Sequence, residues 1–231
     1  MNRPLFFSDV VFAWTFCAML IALTSIAAWT DTRKAKIPNR LTVSILALGL
    51  LVSVLRGGFL AANDMPVWWL WKYNPGAVWL GAIDGLLFAV TGFIVAFGVM
   101  FLVWMFGGCG GGDAKLFGAI GAWIGFSLFP MLWIASVAFL LVWTLARVLS
   151  GGLSPKQVQK TLTTLKQPHA DHNAGRPPTL TPGKLRVTYA LPIAVATAVV
   201  LLWVFRVELQ LAPPKPQQGA SAHDRLSPPV A

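Results

Sequence analysis

Long apolar stretches alternate with short polar segments along most of this chain. The apolar stretches cover residues 10–29, 41–55, 79–106, 116–149 and 189–207. About 20 consecutive apolar residues are enough for a helix to cross the hydrocarbon core of a bilayer. The pattern therefore predicts an all-α, polytopic membrane protein.

The stretch 116–149 is too long for one span, and Ser127-Leu128-Phe129-Pro130 offers a break within it. Breaking it gives six transmembrane helices, and the positive-inside rule tests that number. With the N- and C-termini outside the cytoplasm, the inside segments hold twelve of the 18 Lys and Arg residues and the outside segments hold six. A single helix over 116–149 would move the six basic residues of the following loop outside, so six spans are favoured.

We expect residues 1–207 to form one membrane domain with a cytoplasmic loop at 150–187, and the proline-rich residues 208–231 to form a disordered tail. The first apolar stretch has the length of a signal peptide, but one arginine precedes it and four basic residues follow it. A signal peptide carries its positive charge in front. The better interpretation is an uncleaved helix of a multi-pass protein in the inner (plasma) membrane.

The amino-acid composition excludes several classes of function. The chain is 56% hydrophobic and 11% charged, whereas soluble domains have about 25% charged residues. The net charge of +10 comes from basic residues between apolar stretches rather than from one basic and aromatic surface, so we expect no nucleic-acid partner. Cys17 and Cys109 form no C-x-x-C pair, and His169 and His172 follow a proline in a polar loop, so we expect no metal site and no cofactor.

Two carboxylates, Asp31 and Asp113, lie where apolar stretches end, and the six-span topology places both on the cytoplasmic side. Ionisable groups at membrane depth are costly and mark functional sites. Two adjacent carboxyls share a proton, and such a pair can activate a water and polarise a peptide carbonyl. We interpret them as an acid/base pair; the alternatives are a loop acid paired with Arg33 and a solvated acid in a glycine loop. Asp84, near the outer end of its span, is expected to be structural.

Neighbouring residues suit such a site. Gly110 and Gly112 allow backbone conformations closed to other residues and the close approach of an extended substrate. Pro38 suits the first turn of a helix, where its missing N–H is unpaired in any case, and Asn39 is expected to hydrogen-bond locally. Lys115 either lowers the pKa of Asp113 or binds lipid phosphate.

Three motifs resemble, in order and spacing over residues 10–125, those of the type IV prepilin peptidase family: Asp31-Thr32-Arg33, Ile37-Pro38-Asn39-Arg40-Leu41-Thr42 and Gly110-x-Gly112-Asp113-x-Lys115-Leu116. These are membrane aspartyl proteases of the Gly-x-Gly-Asp kind. The resemblance implies that Asp31 and Asp113 are the catalytic pair, and that the chain cleaves the leader peptide of prepilins at the cytoplasmic membrane face. Tyr189-Ala190-Leu191-Pro192 resembles the start of the last helix of that family more weakly.

The chain is similar to the short form associated with Flp-type tight-adherence pili. We expect no N-methyltransferase activity, because there is no room before Asp31 for the domain with cysteine pairs that bifunctional members carry. The implied partners are a prepilin, with its leader peptide and apolar helix, and membrane lipid; the oligomeric state stays open. The alternatives are a non-catalytic transporter or assembly scaffold, which would use the acids for cation binding or packing, and a presenilin-like protease. Inverted repeats typical of transporters are not visible, and neither Tyr73 nor Tyr189 precedes the Asp that a presenilin-like motif requires.

Overall fold

The computed structural model describes residues 6–7, 9–34, 37–65, 76–149 and 189–211. Over these residues its regular structure is entirely helical, which confirms the all-α prediction. The helices are α1 (Val10–Lys34), α2 (Asn39–Ala62), α3 (Val78–Met105), α4 (Gly111–Leu149) and α5 (Ala190–Val204). The predicted loop at 150–187 and residues 212–231 of the predicted tail lie outside the described residues.

Four of these helices, α1 to α4, are long and apolar enough to cross a membrane. Helix α5 is apolar but has 15 residues, which gives a length of about 22 Å against a hydrocarbon core of about 30 Å. The chain therefore has the architecture of a multi-pass membrane protein. The number of six spans and the outer location of both termini stay predictions.

Helix α4 is divided at Gly125, where φ is 72° and ψ is 175°. This backbone conformation is open mainly to glycine, and a Cβ at this position would overlap the ring of Phe88. The ring centroids of Phe117 and Phe129 are 6.1 Å apart, although an unbroken helix would separate them by about 18 Å along its axis. The chain therefore turns back at Gly125 and forms a first segment (111–124) and a second segment (126–149). The predicted break at 127–130 was close, but glycine rather than Pro130 makes it.

Two helix ends differ from the prediction in a way that matters for function. Helix α1 continues to Lys34, so Asp31 lies in its last turn rather than in a loop. Helix α4 begins at Gly111, where the carbonyl of Gly110 accepts the backbone N–H of Asp113 at 3.1 Å. Backbone hydrogen bonding carries both helices past the apolar stretches, because polar side chains at a membrane boundary do not interrupt a helix.

Glycines bring the central helices into close contact. A Cβ on Gly57 or Gly81 would overlap the backbone of the other residue, so α2 and α3 touch there. Gly92 and Gly121 pair in the same way and join α3 to the first segment of α4. Small residues at such crossings let helix backbones approach closely within a membrane. Helix α4 also packs against α2 and α5, and α1 packs against α5.

A buried ionic cluster lies at the end of the bundle where α1 and α3 begin. Arg56 is 2% exposed and Asp84 is fully buried. The Arg56 guanidinium carbon lies 4.1 Å from the ring centroid of Phe6 and 4.3 Å from that of Phe88. The negative charges of Asp84 and Glu208 act on the guanidinium. Asp84 lies near the start of α3, and Asp113 follows the other end of this helix; the structural role expected for Asp84 stays a prediction. We call Arg56, Asp84, Phe6, Phe88 and Glu208 the Arg56 cluster.

Residues before α1 and after α5 meet beside this cluster. The Glu208 carboxylate accepts the backbone N–H groups of Phe6 and Phe7, each at 3.1 Å. Leu209 is 2% exposed and belongs to the apolar core. The packed part of the chain therefore includes residues 208 and 209, the first two residues of the predicted tail.

Candidate active site

The candidate site lies at the opposite end of the bundle, where α1 and α3 end and where α2, α4 and α5 begin. Asp31 is in the last turn of α1 and Asp113 in the first turn of α4, and both side chains are half-buried. The negative charge of Asp31 acts on the Asp113 carboxyl. The structure therefore brings the two acids singled out from the sequence close enough for their charges to interact.

The start of α4 holds the Asp113 side chain in place. Its Oδ2 atom accepts the backbone N–H of Gly110 at 3.1 Å. A Cβ on Gly110 would lie 2.9 Å from this oxygen, whereas one on Gly112 would lie 3.6 Å from Ile37, an ordinary contact. A side chain at position 110 would therefore crowd the Asp113 carboxylate, whereas one at position 112 would not. Positive φ among the described glycines is found at Gly76, Gly107 and Gly125, so the conformational freedom predicted for residues 110–112 is not used.

The motif at residues 37–42 contacts the motif at residues 110–116 directly. Lys115 Nζ donates a hydrogen bond of 3.1 Å to Asn39 Oδ1, which links the first turns of α4 and α2. The sequence predicted a local hydrogen bond for Asn39, and the side chain instead links two helices.

Pro38 was predicted in the first turn of α2 and lies one position before it, as the N-cap residue with an extended backbone. Its carbonyl accepts the backbone N–H of Leu41 at 3.0 Å.

Cys109 lies beside the site, between α3 and α4. Its Sγ donates to the carbonyl of Met100 at 3.6 Å. Burial, and to a smaller extent the negative charge of Asp113, raises the pKa of the Cys109 thiol to about 11. The thiolate is the reactive form of cysteine, so at neutral pH this neutral thiol is a poor nucleophile.

A third part of the chain reaches the site through Tyr189, directly before α5. Its ring centroid lies 6.1 Å from that of Phe117, and its hydroxyl oxygen lies 3.3 Å from Ser136 Oγ. Burial raises the pKa of the Tyr189 phenol, the Ser136 hydrogen bond lowers it, and the charges of Asp113 and Cys109 raise it. Sequence reasoning missed Ser136; its only signal was a polar residue within an apolar stretch.

Within the part of the chain that the structure describes, no three His, Cys, Asp or Glu residues are grouped so that they could hold a metal ion. His169 and His172, which the sequence suggested are incidental loop residues, lie outside the described residues. Both Cys17 and Cys109 are free thiols.

Fold and site together define a helical, multi-pass membrane protein with two interacting carboxyl groups at one end. A family model described as the type IV leader peptidase family matches residues 16–145, more than half of the chain, and the chain belongs to that family. This confirms the resemblance seen in the sequence, and membership of a peptidase family implies a protease. The match includes Asp31 and Asp113 but ends before α5. Comparisons with curated proteins and with solved structures find no match.

Proposed function

We propose that this protein is an aspartyl endopeptidase that removes the leader peptide from Flp-type prepilins, with Asp31 and Asp113 as its catalytic pair. The observation that carries the proposal is the electrostatic interaction of these two carboxyls across two helix ends. It occurs in a chain of the type IV leader peptidase family. A pair of like charges at a membrane boundary is costly, and proteins keep such pairs where they serve a function.

The chemistry follows from the shared proton. One carboxylate is ionised and takes a proton from a water, while the other is protonated and hydrogen-bonds the peptide carbonyl. The water oxygen bonds to the carbonyl carbon, the C–N bond breaks, and the leaving amine takes up a proton from the pair. Because the two groups are coupled, their titration belongs to the pair rather than to either residue.

The surroundings of the pair suit an extended peptide substrate. Gly110 is exposed, and Gly110, Gly111 and Gly112 carry no side chain, so a substrate backbone can approach Asp113 closely. The hydrogen bond between Lys115 and Asn39 fixes α4 relative to α2 on one side of this approach. We infer that these residues hold the geometry of the site and do not react.

Exposed cations support a cytoplasmic location of the site. Arg33, Arg40 and Lys115 are exposed at this end of the bundle, whereas Arg56 at the other end is buried. Basic residues are enriched on the cytoplasmic side of membrane proteins, and the anionic inner leaflet attracts them. We therefore propose that the site faces the cytoplasm from the inner membrane and contacts anionic lipid.

Cleavage of a tagged Flp-type prepilin by the purified protein in lipid nanodiscs tests the proposal. We expect Asp31→Asn and Asp113→Asn each to lower the cleavage rate at least about 100-fold, because each removes one half of the acid/base pair. Asp9→Asn is the matched control, since it makes the same change in an exposed acid before α1. Wild-type cleavage by either site variant contradicts the assignment.

The same experiment tests the finer predictions. Mass spectrometry of the product locates the cleaved bond and detects a methyl group on the new N-terminus if one is added. We expect leader removal without methylation. A transporter or an assembly scaffold, the alternative from the sequence, would leave the prepilin intact in wild type and in every variant.

A further inference from the structure

The connection between α1 and α2 packs against the first turn of α4. Ile37 is 7% exposed and belongs to the apolar core. Its Cβ, Cγ1 and Cδ1 atoms lie 3.6 to 3.7 Å from the position that a Cβ on Gly112 would take, so this side chain covers the Gly112 backbone. Two residues later, Asn39 Oδ1 accepts the hydrogen bond of 3.1 Å from Lys115 Nζ. These two contacts hold residues 37–39, which we call the connector, against the start of α4.

The backbone of the connector is stiff. The ring of Pro38 restricts its own φ and keeps the preceding residue, Ile37, away from the helical region. Pro38 itself is extended, with φ −65° and ψ 134°. Because few backbone conformations are open to the connector, its contact at Ile37 and its contact at Asn39 are fixed relative to each other.

The connector is joined to Asp31 by a short length of chain. Asp31 lies in the last turn of α1, which ends at Lys34. Three residues separate Lys34 from Ile37 along the chain, and three extended residues span at most about 11 Å. The contact of Ile37 with α4 therefore limits how far the Asp31 end of α1 can move from the start of α4.

Another contact between α1 and α4 lies far from the site. The ring centroids of Phe16 and Trp123 are 5.2 Å apart. Phe16 precedes Asp31 by 15 residues, which is about 22 Å along a helix. A tilt of α1 by about 10° around this contact would shift Asp31 by about 4 Å. The connector opposes such a tilt at the end where the acids lie.

We propose that Ile37 is a positioning residue of the peptidase site, which sets the separation of Asp31 and Asp113 by anchoring the end of α1 to the first turn of α4. This inference rests on the proposed function and extends it to an apolar side chain that cannot exchange protons. Two acids act on one water and one carbonyl only in a narrow range of geometry, and a misplacement of about 1 Å can lower the rate about 100-fold.

The kinetic test compares Ile37→Ala with Ile45→Ala, which makes the same change in a fully buried residue of α2. We expect Ile37→Ala to lower kcat for prepilin cleavage about tenfold with KM within about twofold, because the acids lose their alignment while substrate binding is kept. Ile45→Ala should lower Tm at least as much and keep kcat within about twofold of wild type.

Two further variants separate the connector from a general loss of packing. Ile37→Val keeps a branched side chain over Gly112 and should retain kcat within about threefold of wild type. Pro38→Ala keeps the Ile37 side chain and frees the backbone, so it should lower kcat in the same direction as Ile37→Ala by a smaller amount.

A distance measurement tests the positioning directly. Nitroxide labels are placed on Thr32→Cys and Phe106→Cys, two exposed positions at the ends of α1 and α3, in a background without the two native cysteines. Ile37→Ala should broaden the distribution of label distances measured by electron paramagnetic resonance, because the end of α1 is released. Ile45→Ala should leave the distribution as in wild type.

Equal kcat values for Ile37→Ala and Ile45→Ala would overturn the inference, and so would a lower kcat with an unchanged label distribution. If the Asp variants are inactive while Ile37→Ala cleaves normally, this inference alone fails. A wild-type protein that leaves the prepilin intact overturns the proposed function and, with it, this inference.

Discussion

The two ends of the helix bundle handle charge in opposite ways. At one end Asp31 and Asp113 place two acids together, and each carboxyl is half-buried. At the other end the Arg56 cation lies between two aromatic rings, and the charges of Asp84 and Glu208 act on it. The second arrangement sets a cation beside acids, whereas the first brings two acids together.

We interpret this difference as one between a structural role and the proposed catalytic role. Two of the Arg56 nitrogens, Nε and Nη1, have no hydrogen-bond partner among the described residues, and the rings of Phe6 and Phe88 take their place. An ion cluster of this kind fixes how buried helices pack. Asp31 and Asp113 would repel each other if both were ionised, so the ionisation of the second acid has a cost in stability. Loss of an acid should therefore affect catalysis at one end and stability at the other.

The largest effect on stability is expected for Arg56→Met. Removing the guanidinium leaves Asp84 buried without its counter-charge, at a cost of about 3–5 kcal/mol in the free energy of unfolding. Unfolding in detergent micelles, followed by tryptophan fluorescence, measures this loss. Asp113→Asn should show no such loss, because it relieves a like-charge repulsion.

A double variant sharpens the same prediction. Arg56→Met combined with Asp84→Asn should be more stable than Arg56→Met alone, since no uncompensated charge then remains on α3. Equal stability of wild type and Arg56→Met would show that the cluster does not hold this end of the bundle.

Gly125→Ala should affect both ends of the bundle and should lower the free energy of unfolding less than Arg56→Met does. The backbone at Gly125 is closed to alanine and the new Cβ would overlap Phe88, a residue of the Arg56 cluster. We expect a loss of about 1–3 kcal/mol in stability. Cleavage should also slow, because the turn at Gly125 holds the first segment of α4, which carries Asp113, against α3. Gly98→Ala is the control: no atom lies within 4 Å of its Cβ position. A Gly125→Ala protein as stable and active as Gly98→Ala would contradict this account of the turn.

The smallest expected effect on stability is that of Glu208, and it depends on pH. Burial raises the pKa of Glu208, while the N–H groups of Phe6 and Phe7 and the charge of Arg56 partly oppose the rise. An acid with a raised pKa in the folded state contributes stability below its unfolded pKa, and this contribution is lost as pH rises through the folded value. Wild type should therefore gain stability relative to Glu208→Gln as pH falls from neutral towards the ordinary range of a carboxyl. A difference that grows with rising pH would have the wrong sign.

The sequence predicted much of the fold because membrane spans depend on local composition. Four of the helices coincide with apolar stretches to within a few residues at most ends, and the break in 116–149 was placed close to Gly125. Helix ends were less predictable. Asp31 and Asp113 were placed where apolar stretches end, without a prediction that both lie in helices, because an apolar pattern marks where the membrane ends rather than where backbone hydrogen bonding ends.

The candidate site was predictable where its residues form sequence motifs. Asp31, Asp113 and the Lys115 region were found in this way. The contacts of Asn39 and Ser136 were not, because each depends on a partner more than 50 residues away. The Arg56 cluster was not predicted for the same reason, because its members come from α2, from α3 and from residues that flank α1 and α5.

The central claim is that Asp31 and Asp113 act as one catalytic unit. The most direct measurement is the single-turnover rate of prepilin cleavage by Asp31→Asn, Asp113→Asn and the double variant, with enzyme in excess. Residues that act as a unit are strongly non-additive, so the double variant should cleave within about threefold of the slower single variant. A rate in the double variant that falls by the product of the two single losses would mean that the two carboxyls act independently, and would contradict the account.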